Sequence, residues 1–460
     1  MSSCGERGVP RFRAVTRHQL DRIPQFRRLS PDQRNAIKTV SAVLPFRANN
    51  YVIEQLIDWH NIPNDPVFQL TFPQAGMLEP EDFSSLQNLV RQGLQDLIQS
   101  RARKIQMRMN PHPSGQMDLN VPTVHGRKLP GAQHKYRETL LFFPSQGQTC
   151  HAYCTYCFRW PQFAGIESWK LAGREVETLV DYLREHTEIS DLLLTGGDPM
   201  IMSASVLRRY IEPLLDPALE HLTTIRIGSK ALSYWPYRFV SDRDADDLMR
   251  LFELVRANGR QLAFMAHFSH PQEMAPDVCR RAVQRLRDAG CTVRSQAPVI
   301  RHVNDDARAW ADMWRTQVGL GIVPYYMFVA RETGPKHYFE VSLARTLKVF
   351  TNAFNSVSGL ARTVRGPTMS CYPGKVQVDG VIEVDGRKHF VLKMVQGRDP
   401  QWSGCVFFAR FDSQAAWISD LEPSLGPARF FFDDAMQQMR RGQWCPSWQT
   451  QRVRDEQDSA

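Results

Sequence analysis

Between Thr139 and Val329, short runs rich in Leu, Ile and Val alternate with stretches whose apolar residues recur every three or four positions. Short apolar runs make buried strands and the 3.6-residue period makes helices, so the alternation predicts βα units around a parallel sheet. The expected strands cover 140–143, 191–194, 222–227, 261–266, 292–295 and 323–329. The expected helices carry Val176, Leu179, Val180 and Leu183, then span 205–215, then carry Leu248, Leu251, Phe252 and Val255, then span 277–289 and 306–318. Gly259 ends the third of these as a left-handed cap, and Gly290 ends the fourth. Six strand–helix units fit an α/β fold, an open or partial (β/α)6 barrel over 131–345.

In such barrels the reactive groups sit on the loops that follow the C-terminal ends of the strands. Cys150, Cys154, Cys157, Gly196, Gly197, Asp198, Ser229, Lys230, His267, Gln296 and Arg331 all fall at such positions and are expected to converge on one rim. Residues 1–130 mix short helices with Pro-containing turns and read as a mostly helical N-terminal layer. Within it Leu86, Leu89, Val90, Leu94, Leu97 and Ile98 predict one helix that buries this face. Residues 346–460 read as a small α+β extension: a strand over 363–369, a turn at 373–375, paired short strands over 375–395 and a cap of Phe407, Phe408, Phe430, Phe431 and Phe432. The last dozen residues are polar and expected to be disordered.

At 460 residues, with 42% hydrophobic and 23% charged residues, the chain can bury a large core and has the composition of a globular enzyme. No apolar run of about 18 residues occurs, so a soluble, cytoplasmic protein without a membrane partner is expected. The net charge of +9 comes from basic residues scattered without a block, which argues against a nucleic-acid partner. Of nine cysteines, three are clustered and six scattered; this is no disulfide framework and suits a reducing compartment.

The clustered cysteines read C-H-A-Y-C-T-Y-C-F-R from Cys150 to Arg159. C-x-x-x-C-x-x-C on one loop lets three thiolates hold three irons of a [4Fe-4S] cube, leaving the fourth iron to a distant residue or a small molecule. A structural zinc site is the alternative; it wants a fourth Cys or His at short spacing, and His151 beside Cys150 is poorly placed for it. T-G-G-D-P after a strand gives a tight turn whose backbone can approach a ligand closely. His267 and Gln296 suit a ribose or adenine, and Arg159 suits a carboxylate held in bidentate fashion.

The cysteine spacing resembles that of the radical S-adenosylmethionine (SAM) superfamily, in which SAM ligates the open iron and its reductive cleavage releases a 5′-deoxyadenosyl radical. Taken with V-L-P-F-R-A-N-N-Y-V, I-P-N-D-P-V-F-Q-L-T-F-P-Q, L-L-L-T-G-G-D-P-M, I-R-I-G-S-K, A-H-F-S-H-P and R-H-V-N-D, the chain is similar over residues 40–350 to the lysine 2,3-aminomutase family. The resemblance implies a [4Fe-4S] cluster on Cys150, Cys154 and Cys157, and SAM lined by Gly196, Gly197, Asp198, Ser229, His267 and Gln296. It also implies pyridoxal 5′-phosphate (PLP) near Tyr136 with Lys375 as its Schiff-base lysine, and a substrate carboxylate on Arg159. The implied reaction moves an amino group from C2 to C3 of an amino acid. The implied partners are a flavodoxin- or ferredoxin-type electron donor and further copies of the chain in a homo-oligomer.

The chain departs from that family in several places. S-C-Y-P-G-K, ending in Lys375, stands for a longer Gly-rich loop; Lys135 and Thr139 flank Tyr136 where Arg is usual; Tyr156 replaces a His. At the sixth strand end V-A-R-E carries Arg331 where lysine-specific members place Asp residues. A guanidinium there repels lysine and attracts an acid, so the expected substrate is an acidic or neutral α-amino acid. Two other readings stay open: a PLP-independent radical SAM epimerase, dehydrogenase or mutase on a carboxylate substrate, and a radical SAM enzyme that modifies RNA or protein.

Overall fold

The computed structural model describes residues 10–110, 117, 119–124, 126–446 and 448. Twelve strands form one mixed sheet whose spatial order follows the chain. They are β1 Ala132–Tyr136, β2 Thr139–Phe142, β3 Asp191–Leu194, β4 Thr224–Ser229, β5 Gln261–Ala266, β6 Thr292–Val299, β7 Val323–Val329, β8 Arg365–Ser370, β9 Gly374–Val384, β10 Arg387–Gly397, β11 Val406–Arg410 and β12 Pro423–Ser424. Each neighbour from β2 to β8 is parallel, with a helical crossover between successive strands. β1 joins one edge antiparallel, and β9 to β12 continue the other edge as antiparallel hairpins. The fold is thus mixed α/β, and the strand at 365–370 extends the parallel series directly.

Because parallel crossovers are right-handed and the strand order never reverses, the helices collect on one face of the sheet. Leu140, Phe142, Leu192, Leu194, Ile225, Ile227, Phe264, Val293, Ala297 and Met327 point to that face and share one core with the helices. The alternate residues, including Thr139, Leu141, Leu193, Arg226, Gln296, Tyr326 and Phe328, line a cavity on the other face. The sheet is strongly curled about this cavity. At about 4.8 Å per strand a flat sheet would hold β1 and β9 roughly 40 Å apart, yet Lys375 Nζ on β9 lies 5.1 Å from the Tyr136 ring of β1.

Several boundaries differ from the sequence expectation for identifiable reasons. Gln296 lies inside β6, which runs on to Val299, and the pairing of β6 with β7 slips there, with Ser295 opposite Pro324 and Gln296 opposite Tyr326. The extra residue, Tyr325, bulges, and both Tyr325 and Tyr326 reach the cavity. In the N-terminal layer the single helix expected through Leu86 and Ile98 is two. Gly93, at φ 70°, ends Pro80–Gln92, and Gln95–Met109 starts anew with Leu97 53% exposed. The 375–395 region forms two 11-residue strands, not short ones, closed by Asp385 and Gly386, both at positive φ. Of the C-terminal phenylalanines, Phe407, Phe430 and Phe432 pack together with the hairpins while Phe431 is exposed. The expectation for the last dozen residues falls outside the described ones.

The N-terminal layer packs Phe26, Tyr51, Phe68 and Phe72 against Ala152, Tyr234 and Trp235, on the cysteine loop and the segment after β4. Its backbone also clamps that loop. The amides of Tyr153 and Thr155 donate to the carbonyls of Arg47 and Leu70 at 2.8 and 2.9 Å.

Candidate active site

The three cysteines stand between β2 and the first crossover helix, partly buried, within a loop anchored at both ends. Burial pushes all three thiols above their ordinary range, Cys157 to about 12, and mutual repulsion adds to the shift at Cys150 and Cys157. One cation opposes this at each sulfur: Arg47 at Cys150, Lys230 at Cys154 and Arg159 at Cys157. Three neighbouring thiols, each with its own positive charge, fit the thiolate set of an iron–sulfur cube. Among the described residues no three His, Cys, Asp or Glu side chains gather about a single metal-ion position. His151 turns away into the N-terminal layer, edge-on to Phe12, where burial drives its pKa down to about 3.

Gly196 and Gly197 make their close approach to the cysteine loop itself. A Cβ on Gly197 would meet the Thr149 carbonyl oxygen at 2.5 Å and amide at 2.7 Å, and one on Gly196, at φ 141°, would strike the Gln148 side chain. The Asp198 amide donates to the carbonyls of Gly147 and Thr149 at 3.0 and 2.8 Å. Its buried carboxylate accepts from the amides of Met200 and Lys230 at 2.9 and 3.0 Å. Asp198, whose pKa burial raises to about 6, therefore joins the ends of β3 and β4 behind the cysteines. Ser229 is buried beside it, its hydroxyl accepting from the Ala231 amide.

A cavity of about 280 Å³ opens on the concave face. It gathers His267, Gln296, Tyr136, Lys375, Arg159 and Arg331 from the residues singled out in the sequence; Gly196, Gly197, Asp198, Ser229 and the cysteines are not in its wall. Tyr156, between Cys154 and Cys157, is in the wall, so the cavity and the cysteine loop share a boundary. The Tyr156 hydroxyl lies 2.8 Å from His267 Nε2 and 2.9 Å from Ser269 Oγ. Burial, with Lys230 nearby, holds His267 neutral.

Lys375 Nζ donates to Gln396 Oε1 at 2.8 Å and lies between the Tyr136 and Tyr326 rings, 5.1 and 5.3 Å from their centroids. Burial, reinforced by Arg226 and Arg365, lowers its pKa to about 7. A large share of the amine is then an unprotonated nucleophile at neutral pH. Lys135, also buried, donates to the Cys371 carbonyl and is depressed by burial and by Arg398, Arg331 and Lys375. Among the described residues the buried Tyr136 hydroxyl has no hydrogen-bond partner. An amine that titrates near neutrality, an orphan phenol and a surplus of cations fit a carbonyl cofactor bearing a phosphate.

Arg331 faces the cavity, not solvent: its guanidinium donates to the Ser370 carbonyl at 3.2 Å from Nε and 2.6 Å from Nη2, and lies 4.7 Å from the Phe158 ring. Arg159 lies 5.0 Å from the same ring and 4.3 Å from Phe143, and its buried Nη1 has no hydrogen-bond partner among the described residues. Burial, with Arg331 adding to it, lowers Arg159 to about 10. Six basic side chains line the cavity (Lys135, Arg159, Arg226, Arg331, Lys336 and Lys375), and no described lining residue is Asp or Glu. Asp191, the carboxylate whose charge acts on Lys375, is paired to Arg226 at 2.6 Å. Phe158, Tyr325, Tyr326 and Arg226 were not singled out from sequence. The inward period-two positions of β4 and β7 were the available signal, and the bulge at Tyr325 obscured it.

No family model matches the chain. A protein of Aquifex aeolicus provisionally named L-lysine 2,3-aminomutase is 28% identical over 390 residues, 85% of this chain and 91% of its own length. The L-lysine 2,3-aminomutases of Escherichia coli and Clostridium subterminale are 28% and 26% identical, over 55% and 50% of this chain and 69% and 52% of their own lengths. Among solved structures, a radical SAM methyltransferase from Sphaerobacter thermophilus matches with a TM-score of 0.34 at 14% identity, over 49% of this chain and 65% of that one. Among the described residues no helix is long and apolar enough to cross a membrane. The cysteine loop, the strand-end residues and these relatives agree: the chain is similar, over 85% of its length in the Aquifex case, to proteins named lysine 2,3-aminomutase.

Proposed function

We propose that the curled sheet is a partial (β/α)6 radical SAM barrel and that the protein is an aminomutase for an acidic or neutral α-amino acid. A [4Fe-4S] cluster with SAM supplies hydrogen-atom abstraction, and PLP supplies a carbonyl through which nitrogen can migrate. Cys150, Cys154 and Cys157 would hold the cluster, with one electron delivered by a flavodoxin- or ferredoxin-type donor. Gly196, Gly197, Asp198 and Ser229 would brace the cysteine loop at the SAM end of the site, and His267 and Gln296 would offer SAM polar contacts from the cavity wall. Lys375 is the amine for the PLP aldehyde, with Tyr136 and Lys135 beside it. Arg159, with a buried nitrogen unpaired among the described residues, is the donor for the substrate carboxylate.

The substrate class rests on one observation: six basic side chains, among them the guanidinium groups of Arg159, Arg226 and Arg331, and no carboxylate among the described residues of the cavity wall. A lysine side chain would bring its ammonium into a like-charged, partly desolvated site without a counter-ion, whereas a second carboxylate would meet Arg331. The test is anaerobic reconstitution, then reductant, SAM, PLP and a panel of amino acids, following 5′-deoxyadenosine and the β-amino acid. An acidic or neutral substrate should be turned over fastest and lysine poorly. Lysine as the best substrate would overturn the assignment. Lys375→Ala should abolish the PLP-derived absorbance band and reduce product formation on the order of 10³-fold, while SAM cleavage remains measurable.

A further inference from the structure

Tyr234 closes the short helix Ala231–Tyr234 that follows β4, and it is 1% exposed. Its hydroxyl lies 3.5 Å from Cys154 Sγ, and among the described residues that sulfur is its hydrogen-bond partner. A buried hydroxyl is costly to leave unpaired, so the contact accounts for an otherwise orphaned group. The distance is set by a side chain from a third segment. Asn49 Nδ2 donates to the Tyr234 carbonyl at 2.9 Å and to the His151 carbonyl at 3.1 Å, tying the helix to the cysteine loop. Lys230 Nζ lies 4.7 Å from the centre of the Tyr234 ring and 2.6 Å from Glu273 Oε1. Glu273 is itself fully buried and held by the Ser233 hydroxyl and the amides of Ser269 and His270. A cation fixed on the ring draws electron density from the phenol and makes its O–H a better donor.

We propose that Tyr234 is a positioning residue for the iron–sulfur cluster, its hydroxyl donating to the Cys154 thiolate and raising the cluster's reduction potential. A thiolate bound to iron carries no proton, so the phenol is the donor. One-electron reduction by the external donor adds negative charge that spreads onto the cysteine sulfurs, and a hydrogen bond to sulfur stabilises the reduced cube more than the oxidised one. Tyr153 is the internal comparison. It belongs to the same loop, but its hydroxyl is spent on Thr149 Oγ1 at 3.1 Å.

The inference rests on the iron–sulfur reading, and one set of measurements separates the two. Anaerobically reconstituted wild type, Tyr234→Phe and Tyr153→Phe are analysed for iron and sulfide, then titrated with reductant under EPR without SAM. Tyr234→Phe should keep its cluster and titrate at a more negative potential than wild type, with Tyr153→Phe unchanged. An exchangeable proton coupled to the wild-type cluster in ENDOR, lost in deuterium oxide, should be missing from Tyr234→Phe. Should Tyr234→Phe not retain iron, site-specific 3,5-difluorotyrosine at 234, a stronger donor of nearly the same shape, should shift the potential positive. Equal potentials in all forms, or equal shifts in both Phe variants, would overturn the role of Tyr234. Wild type that binds no iron would overturn the underlying function first.

Discussion

The cysteine loop and the Lys375 hairpin serve one cavity and are secured in different ways. The loop is held through backbone: Tyr153, Thr155 and Asp198 amides are engaged with Arg47, Leu70, Gly147 and Thr149 carbonyls, and Gly197 fits against Thr149 with no room for a side chain. The hairpin side is held by strand register, and what it presents is charge. Lys135 from β1, Arg331 from the end of β7 and Lys375 from β9 meet only because the sheet curls, and burial, Arg398, Arg331 and Lys375 together depress the Lys135 pKa. A backbone clamp tolerates changes of charge but not of volume. A cluster of buried cations tolerates volume and responds to pH and to the sign of the ligand.

Four substitutions probe this contrast, beginning with the largest effect. Cys154→Ser removes one of three thiolates and should take cluster iron and 5′-deoxyadenosine formation to background; full iron retention would break the assignment on the cysteine side. Arg331→Gln removes a charge-assisted contact and should lower kcat/KM for an acidic substrate by about 10–100-fold. Its Tm, read in parallel, separates this from loss of the Ser370 contact. An unchanged kcat/KM would mean that Arg331 only braces the strand end.

Gly197→Ala places a methyl group against backbone that cannot swing aside, and should destabilise the fold by about 1–3 kcal/mol. Denaturant unfolding and iron content should fall together, because the displaced segment carries Cys150; a neutral result would show that the clamp gives. Lys375→Met tests the other side through pH. The Lys375 pKa falls from 10.5 in the unfolded chain to about 7 in the folded one, so keeping the ammonium buried costs stability. That cost is constant below about pH 7 and fades as pH rises toward 10.5. The methionine variant, without PLP, should therefore melt higher than wild type near pH 6, with the advantage vanishing by about pH 10.5. An advantage independent of pH would locate the effect in packing.

Legibility followed the range of the interactions. The strands at 191–194, 261–266 and 323–329 and the glycine stops at Gly259 and Gly290 follow from local periodicity and positive φ, and the structure has them at those positions. The cysteine loop was legible because its three donors lie within eight consecutive residues. The break at Gly93 and the continuous hairpin through Asp385 and Gly386 were equally local, but apolar periodicity outweighed the turn residues in the first case and hid the strand length in the second.

What the amino-acid sequence determined by itself is the βα alternation, the cysteine trio and the family resemblance, all carried by spacing along the chain. Only the tertiary structure decided that Gly196, Gly197 and Asp198 brace the loop, that Gln296 sits within a strand beside a bulge, and that Tyr234 reaches Cys154. It also decided that Lys135, Arg159, Arg331 and Lys375 share a wall without a carboxylate. The physical reason is that a charge is felt through space: Lys375, 240 positions along the chain from Lys135, helps to lower the Lys135 pKa once a curled sheet brings them together, and nothing in their spacing along the chain records it.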